Sequence, residues 1–308
     1  MVSYFYRSIR EAKLEKIPSF KSGAWVVVES PNADEIKYLE QKFKLDPDLL
    51  GDALDPDEIP RIDVEEEIVY IYMRYSYRRG DVVETDPVML AVGPNFVASV
   101  SRRALPGLER LAASPSLFTT QRPKLLLLLL RHLVLSYESN INYLDRQIRA
   151  VRARLNVATI NNRDFVQFVV IEDALNSFLA ELVPANLLLT SLLNGRYSLS
   201  FHEDDKDLIE DLVQATRQLN ETSQSSLRTI VNIREAYSNI MTNNLNRRVG
   251  LLTSLTVVLT IPTIVFSLFG ANVPVPGAEN PYAFAYLVLF TMLAVAAVFY
   301  FLYRRRWL

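Results

Sequence analysis

A regular series of polar side chains runs along the C-terminal half of the sequence and continues into a strongly apolar segment. Its members are three, four or, once, seven residues apart, which places them on one face of an α-helix. The series consists of Asn232, Glu235, Asn239, Thr242, Asn246, Thr253, Thr256, Thr260, Thr263 and Ser267. Polar groups are costly to expose to lipid, so this face must meet other helices or water. We name it the polar stripe, and it favours the lining of a pore.

The alternative for any single threonine is a local one. Hydroxyls in membrane helices also bond to the carbonyl one turn earlier or pack against a neighbouring helix. Five hydroxyls in one register, with apolar residues over the rest of the helix, favour pore lining instead. The candidate lining residues are Asn246, Thr253, Thr256, Thr260, Thr263 and Ser267. One helix cannot enclose a pore, so this interpretation requires a homo-oligomer with this helix innermost.

Two apolar residues near the start of the apolar segment are candidates for a gate. Val249 interrupts the stripe, and Leu252 follows nearly one turn later. A ring of apolar side chains at this level would close a pore by excluding water. Ordinary helix packing is the alternative for either residue.

Two segments are predicted to cross a membrane. Gly250–Phe269 and Tyr282–Tyr303 are uncharged and 20 and 22 residues long, enough for a hydrocarbon core of about 30 Å at about 1.5 Å per residue. Arginines precede the first span and follow the second, and the connecting loop carries only Glu279. The positive-inside rule predicts a multi-pass protein of the plasma (inner) membrane with both termini in the cytoplasm.

Composition excludes several other classes of protein. The 308 residues include no cysteine and only two histidines, His132 and His202, so a thiolate or His-cluster metal site is not expected. A net charge of −2 does not favour nucleic-acid binding. The sequence contains no phosphate-binding loop, no Gly-x-Ser-x-Gly and no histidine placed with a nucleophile, so we do not expect an enzyme.

The remainder of the chain is predicted to form an α+β domain followed by long helices. Strands are predicted at Ala24–Glu29, Ile68–Tyr77, Val88–Val92 and Phe96–Ser101, with the acidic run after Leu54 as a loop. Apolar repeats of three and four residues then predict an antiparallel helical hairpin. The predicted segments are the α/β domain (1–120), the hairpin (121–200), the cytoplasmic part of a long pore helix (201–249), the first span (250–269), an outer loop (270–281), the second span (282–303) and a basic tail (304–308).

The C-terminal segment resembles the CorA family of magnesium channels. Gly270-Ala271-Asn272 follows the first span, where that family has Gly-Met-Asn, and the chain ends in three arginines followed by Trp307-Leu308. The order of an α/β domain, a hairpin and one long helix into the membrane is also similar. Ala271 departs from the family pattern, and the loss of the methionine would loosen the ring of Asn272 carbonyls at the pore entrance.

The resemblance implies a homo-oligomer, pentameric in that family, which conducts Mg²⁺ passively and is closed by cytoplasmic Mg²⁺ at subunit interfaces. Asp211 matches the position of a regulatory carboxylate, with Asp207 close by. Asp81 and Asp86 are the candidate partners from the α/β domain. An acidic first turn that only stabilises the helix is the alternative for Asp207 and Asp211.

Two other functions remain open at this stage. The first is a Zn²⁺, Co²⁺ or Ni²⁺ transporter of the same superfamily, and the scarcity of soft ligands disfavours it. The second is a membrane-anchored scaffold or sensor that conducts nothing. The expected partners are other copies of the chain, the lipid bilayer and divalent cations, with Co²⁺ and Ni²⁺ as further candidate ions besides Mg²⁺.

Overall fold

The computed structural model describes residues 1–155, 162–195, 197, 199–271, 277 and 280–305, without the side chains of 154, 155 and 162–164. It divides into two compact units, Met1–Val231 and Asn232–Leu308. The strands are β1 (Val2–Tyr6), β2 (Glu15–Ile17), β3 (Ala24–Glu29), β4 (Arg61–Glu65), β5 (Ile68–Arg79), β6 (Val82–Val92) and β7 (Phe96–Ser101). The helices are α1 (Ala33–Phe43), α2 (Pro47–Asp52), α3 (Leu108–Ala112), α4 (Arg122–Leu155), α5 (Asn162–Leu193), α6 (Glu203–Phe269) and α7 (Ala283–Arg304).

The first unit is built on one mixed sheet of seven strands in the order β2-β1-β3-β7-β6-β5-β4. All neighbouring pairs are antiparallel except β3 and β7, which run parallel with Ala24 opposite Phe96. Helices cover both faces of this sheet, which explains the continuous apolar runs of its central strands. Trp25 and Tyr72, for example, are both fully buried.

Helices α1 and α2 cover one face and begin at residues well suited to start a helix. Asn32 accepts from the backbone of Glu35, whose side chain accepts from the backbone of Asn32, so that both ends of a capping box are present. Asp46 caps α2, where Pro47 occupies the first turn. Their apolar side chains, among them Leu39 and Phe43, join the core of the sheet.

Helices α4, α5 and α6 supply the rest of the core of this unit, and Phe168, Leu175 and Phe178 are among the buried residues of α5. The six leucines from Leu125 to Leu130 are all buried in α4, as expected for a run too short to cross a membrane. The buried positions of α6 in this unit are Asp205, Ile209, Leu212, Thr216, Leu219, Ser223, Ser226 and Ile230. Their alternating steps of four and three residues are the repeat of a coiled-coil seam.

The structure corrects several predicted boundaries. Strand β4 lies within the acidic run that was predicted as a loop, and it pairs with β5 at the edge of the sheet. Strand β6 begins at Val82 instead of Val88, because it pairs along the whole length of β5. Strands β1 and β2 were not predicted. The long helix is confirmed, since α6 is continuous from Glu203 to Phe269.

Candidate ion pathway

The polar stripe lies on α6 and is exposed along its whole length. Every one of its ten side chains is exposed in the single chain, from Asn232 to Ser267. Val249, which shares the register of the stripe, is exposed as well. Among the residues that the structure describes, no other helix or strand therefore buries the stripe.

The threonine hydroxyls of the stripe donate to backbone carbonyls one turn earlier. Thr256 donates to Leu252 O at 2.9 Å, Thr260 to Thr256 O at 2.7 Å and Thr263 to Leu259 O at 2.9 Å. Each hydroxyl hydrogen is thus used inside the helix, while the oxygen lone pairs remain available on the exposed face. The exposed stripe therefore offers hydrogen-bond acceptors.

A different face of α6 packs against α7, the other helix of the second unit. Ser254 is buried, and Val258, Ile261 and Val265 are half-buried at helical spacing from it. On α7 the buried threonine is Thr291, which donates to Leu287 O at 2.8 Å. At about 100° per residue, Ser254 points about 100° away from Thr253 of the stripe. The stripe and the helix-packing surface are thus separate.

The two candidate gate residues differ in position. Val249 is four residues before Thr253 and continues the stripe, whereas Leu252 borders an apolar crevice beside Leu255 and Phe299. Val249 therefore lies near the centre of the face that carries the hydroxyls, whereas Leu252, four residues before Thr256, lies between that face and the crevice.

In the outer loop the structure describes residues 270, 271, 277, 280 and 281. Gly270 donates to Phe266 O at 2.9 Å, and a Cβ at this position would lie 3.2 Å from the same oxygen. That close approach favours glycine at the end of the span. Ala271 is exposed, and Asn272 and Glu279 lie outside the described residues.

The candidate regulatory carboxylates are not assembled into a site within the chain. Asp207 and Asp211 are exposed on α6, and Asp81 is exposed in the turn between β5 and β6. Asp86 is buried and lies 3.2 Å from Nε of Arg103 and 3.7 Å from Nη1 of Arg102. Within the described part of the chain, no three His, Asp or Glu side chains are arranged to hold a metal ion.

A cluster of three carboxylates around one arginine lies mostly within the acidic run that was predicted as a loop. Arg61 forms ion pairs with Asp52, Glu58 and Asp63 and stacks on Tyr72. Partial burial raises the pKa of Glu58, although Arg61 opposes the shift. Three carboxylates on one guanidinium leave a local excess of negative charge, which the spacing of these residues in the sequence did not reveal.

The apolar surfaces of α6 and α7 define the class of protein. Among the described residues, these two helices are long and apolar enough to cross a membrane. Only 6% of the most apolar 18-residue stretch of α6, and 11% of that of α7, is buried. A core helix of a soluble protein would be mostly buried, and neither segment is N-terminal as a signal sequence would be. The chain is thus an integral membrane protein with a large folded unit before its spans.

Comparison with known proteins identifies the family. The model of the CorA-like Mg²⁺ transporter family matches residues 20–305. The chain is 23% identical to the cobalt/magnesium transport protein CorA of Methanocaldococcus jannaschii, over 97% of this chain and 95% of that protein. Since the family match covers most of its length, the chain belongs to the CorA-like Mg²⁺ transporter family.

Solved structures agree with this fold. The complete structure of the CorA magnesium transporter from Methanocaldococcus jannaschii matches with a TM-score of 0.88 at 19% identity, over 100% of this chain and 99% of that one. The full-length CmaX protein matches with a TM-score of 0.75 at 21% identity, over 99% and 96% of the two chains. The predicted fold class, a mixed-sheet domain with a long helix and two C-terminal apolar helices, is confirmed.

Proposed function

We propose that the chain is one subunit of a homo-oligomeric channel, pentameric as the resemblance implies, that conducts Mg²⁺ passively across the cell membrane. The observation that carries the proposal is the exposure of the whole polar stripe in the single chain. Neighbouring copies that place this face on a common axis would remove it from lipid and line a pore with it. The apolar second span would then lie outside, against lipid.

The hydrogen-bonding state of the stripe suits a hydrated cation. Mg²⁺ gives up its water shell reluctantly and usually keeps several waters. Those waters point their hydrogens outward and need acceptors. The hydroxyls of Thr256, Thr260 and Thr263 have already donated to the backbone, so each offers its oxygen. From Asn239 to Ser267 the stripe carries no carboxylate, so this part of the lining would bind the ion weakly enough to release it, as conduction requires.

The entrance of the pore is proposed at Gly270, Ala271 and Asn272. Gly270 permits the close turn at the end of α6, and a ring of Asn272 carbonyls would bind the water shell of the incoming ion. Alanine at position 271 has less bulk than the methionine usual in this family. We therefore expect a less rigid ring and a lower flux than in a chain with methionine there.

Closure and regulation are proposed at the cytoplasmic end. Val249 is the leading gate residue because it continues the stripe, and Leu252 is the secondary one. Cytoplasmic Mg²⁺ bound between subunits would hold the gate shut, with Asp207 and Asp211 supplying exposed carboxylates. Asp81 of a neighbouring copy is a better partner than Asp86, whose charge is already matched by two arginines. Both termini would lie in the cytoplasm, since Arg247, Arg248, Arg304 and Arg305 flank the spans on one side.

The direct test is ion flux into proteoliposomes. The purified chain, Ala271→Met and Asn272→Ala are each reconstituted, and Mg²⁺ entry is followed with an internal indicator dye. We expect flux from the chain, higher flux from Ala271→Met and little from Asn272→Ala. If neither the parent chain nor Ala271→Met conducts any divalent cation, the proposal fails.

The same vesicles separate the alternative ions. External Co²⁺, Ni²⁺ or Zn²⁺ is added in competition with Mg²⁺, and each is also offered alone. A relative named for cobalt and magnesium supports Co²⁺ as a second permeant ion. Preferred entry of Zn²⁺ over Mg²⁺ would replace the magnesium assignment, while the pore geometry would stand.

A further inference from the structure

An apolar crevice opens between α6 and α7 on the side away from the polar stripe. Its volume is about 430 Å³, and it is lined on α6 by Leu251, Leu252, Leu255 and Val258 and on α7 by Phe299. The small side chain of Ser254 leaves space in the wall between the helices. By about 100° per residue, the lining of α6 is centred roughly 140° around the helix from the hydroxyls of the stripe.

One end of the crevice is positively charged, whereas its walls are apolar. Arg248 lines this end, and Arg247, Arg304 and Arg305 lie within one turn of the ends of the two spans. No Asp or Glu occurs in the sequence between Glu235 and Glu279. Among the described residues, none of the four arginines forms an ion pair with a carboxylate. An apolar groove with an unpaired guanidinium at its mouth is complementary to an amphiphilic anion.

The length of the crevice fits one leaflet of a bilayer. Arg248 and Val258 are ten residues apart along α6, which is about 15 Å at about 1.5 Å per residue. Half of a hydrocarbon core of about 30 Å has the same thickness. An acyl chain that begins at the level of Arg248 would therefore end near the middle of the bilayer, where the crevice ends.

We propose that this crevice binds one anionic phospholipid, with an acyl chain between α6 and α7 and the headgroup phosphate on Arg248. Arginine is well suited to this role because its guanidinium binds phosphate oxygens in a bidentate manner. The site goes beyond the proposed conduction of ions and uses a face of α6 that the polar stripe does not. The bound lipid would fill the space beside the pore helix at the level of Val249 and Leu252.

The test measures lipid retention by native mass spectrometry of the full chain in detergent. The protein is stripped of lipid and titrated with dioleoyl phosphatidylglycerol or, separately, with dioleoyl phosphatidylcholine. We expect one phosphatidylglycerol per chain and little phosphatidylcholine. Arg248→Gln should weaken retention about tenfold, the loss expected for one charge-assisted contact. Arg247→Gln removes the same charge outside the crevice and should leave retention within about twofold of the parent.

A second pair of variants fills the crevice without changing any charge. Leu255→Trp should abolish retention, whereas Leu259→Trp, at an exposed residue that does not line the crevice, should not. The mass of the oligomer in the same spectra reports folding, and Mg²⁺ flux measured on the same samples tests conduction separately. The proposal is overturned by equal losses in the two arginine variants, which would indicate diffuse attraction to an anionic surface. It is also overturned if phosphatidylglycerol and phosphatidylcholine bind alike. A third refuting result is that Leu255→Trp disrupts the oligomer while lipid retention is unchanged, because a second copy of the chain would then occupy the crevice.

Discussion

Removing one stripe hydroxyl from each subunit, without changing the shape of the side chain, tests the conducting role of the stripe. Thr260→Val replaces the hydroxyl by a methyl group. Thr260 is exposed and donates to Thr256 O at 2.7 Å. Its oxygen is expected to accept from the water shell of a passing ion. A hydrogen bond involving a charged group contributes about 1.5–3 kcal/mol. If one such contact is lost at the barrier, Mg²⁺ flux should fall by roughly 10- to 150-fold.

Thr291→Val supplies a matched control for this experiment. Thr291 also lies in a membrane span and donates to the carbonyl one turn earlier, at 2.8 Å, but it is buried and lies on α7. Its replacement should leave flux within about twofold of the parent. A twofold change in flux corresponds to a smaller free energy than one neutral hydrogen bond contributes. Both variants are reconstituted at equal protein, after light scattering shows that the oligomer is intact. Equal effects of the two variants, or normal flux through Thr260→Val, would refute a conducting role for the stripe.

Two further predictions concern the folded unit before the spans. Leu127→Ala should cost about 3 kcal/mol, because Leu127 is fully buried in the six-leucine run. The melting temperature, followed by the fluorescence of the buried Trp25, should fall by about 6–12 °C. Leu135→Ala, at an exposed position of the same helix, should change the melting temperature little. A similar drop for both variants would contradict the assignment of Leu127 to the core. The backbone N–H of Asn32, with the N-terminus, lowers the pKa of Glu35 below its ordinary 4.5, so its stabilising contribution is present above pH 4.5 and is lost as pH falls further. Glu35→Gln should flatten the acid limb of the stability curve, and an unchanged limb would show that Glu35 does not contribute.

The elements predicted from the sequence were those with uniform burial. Ala24–Glu29 and Phe96–Ser101 match β3 and β7 to the residue, because central strands covered on both faces are mainly apolar. Strand β4 was missed because it is an edge strand, and the charged side chains of Arg61–Glu65 resemble those of a loop. Its pairing depends on β5, a partner that local periodicity does not reveal.

In the candidate site, too, features set by local helical spacing were predicted, whereas contacts between residues distant in the sequence were not. The register of the polar stripe follows from helical spacing alone, so the structure agrees with it from Asn232 to Ser267. The environment of Asp86 does not follow from spacing. The arginines that precede it most closely in the sequence are Arg78 and Arg79, whereas the cations that contact it are Arg102 and Arg103, which the pairing of β6 with β7 brings close.

The angular separation of Val249 and Leu252 around α6 restricts how an apolar gate at this level could open. Three residues along a helix correspond to a rotation of about 300°, so the two side chains diverge by about 60°. Val249 continues the face that carries Thr253 and Thr256, while Leu252 borders the crevice with Arg248. A modest rotation of α6 about its own axis would exchange one for the other at the pore axis. Because both residues are apolar, the pore would stay dry through that exchange. Opening would then require the pore helices to move apart, and not only to rotate.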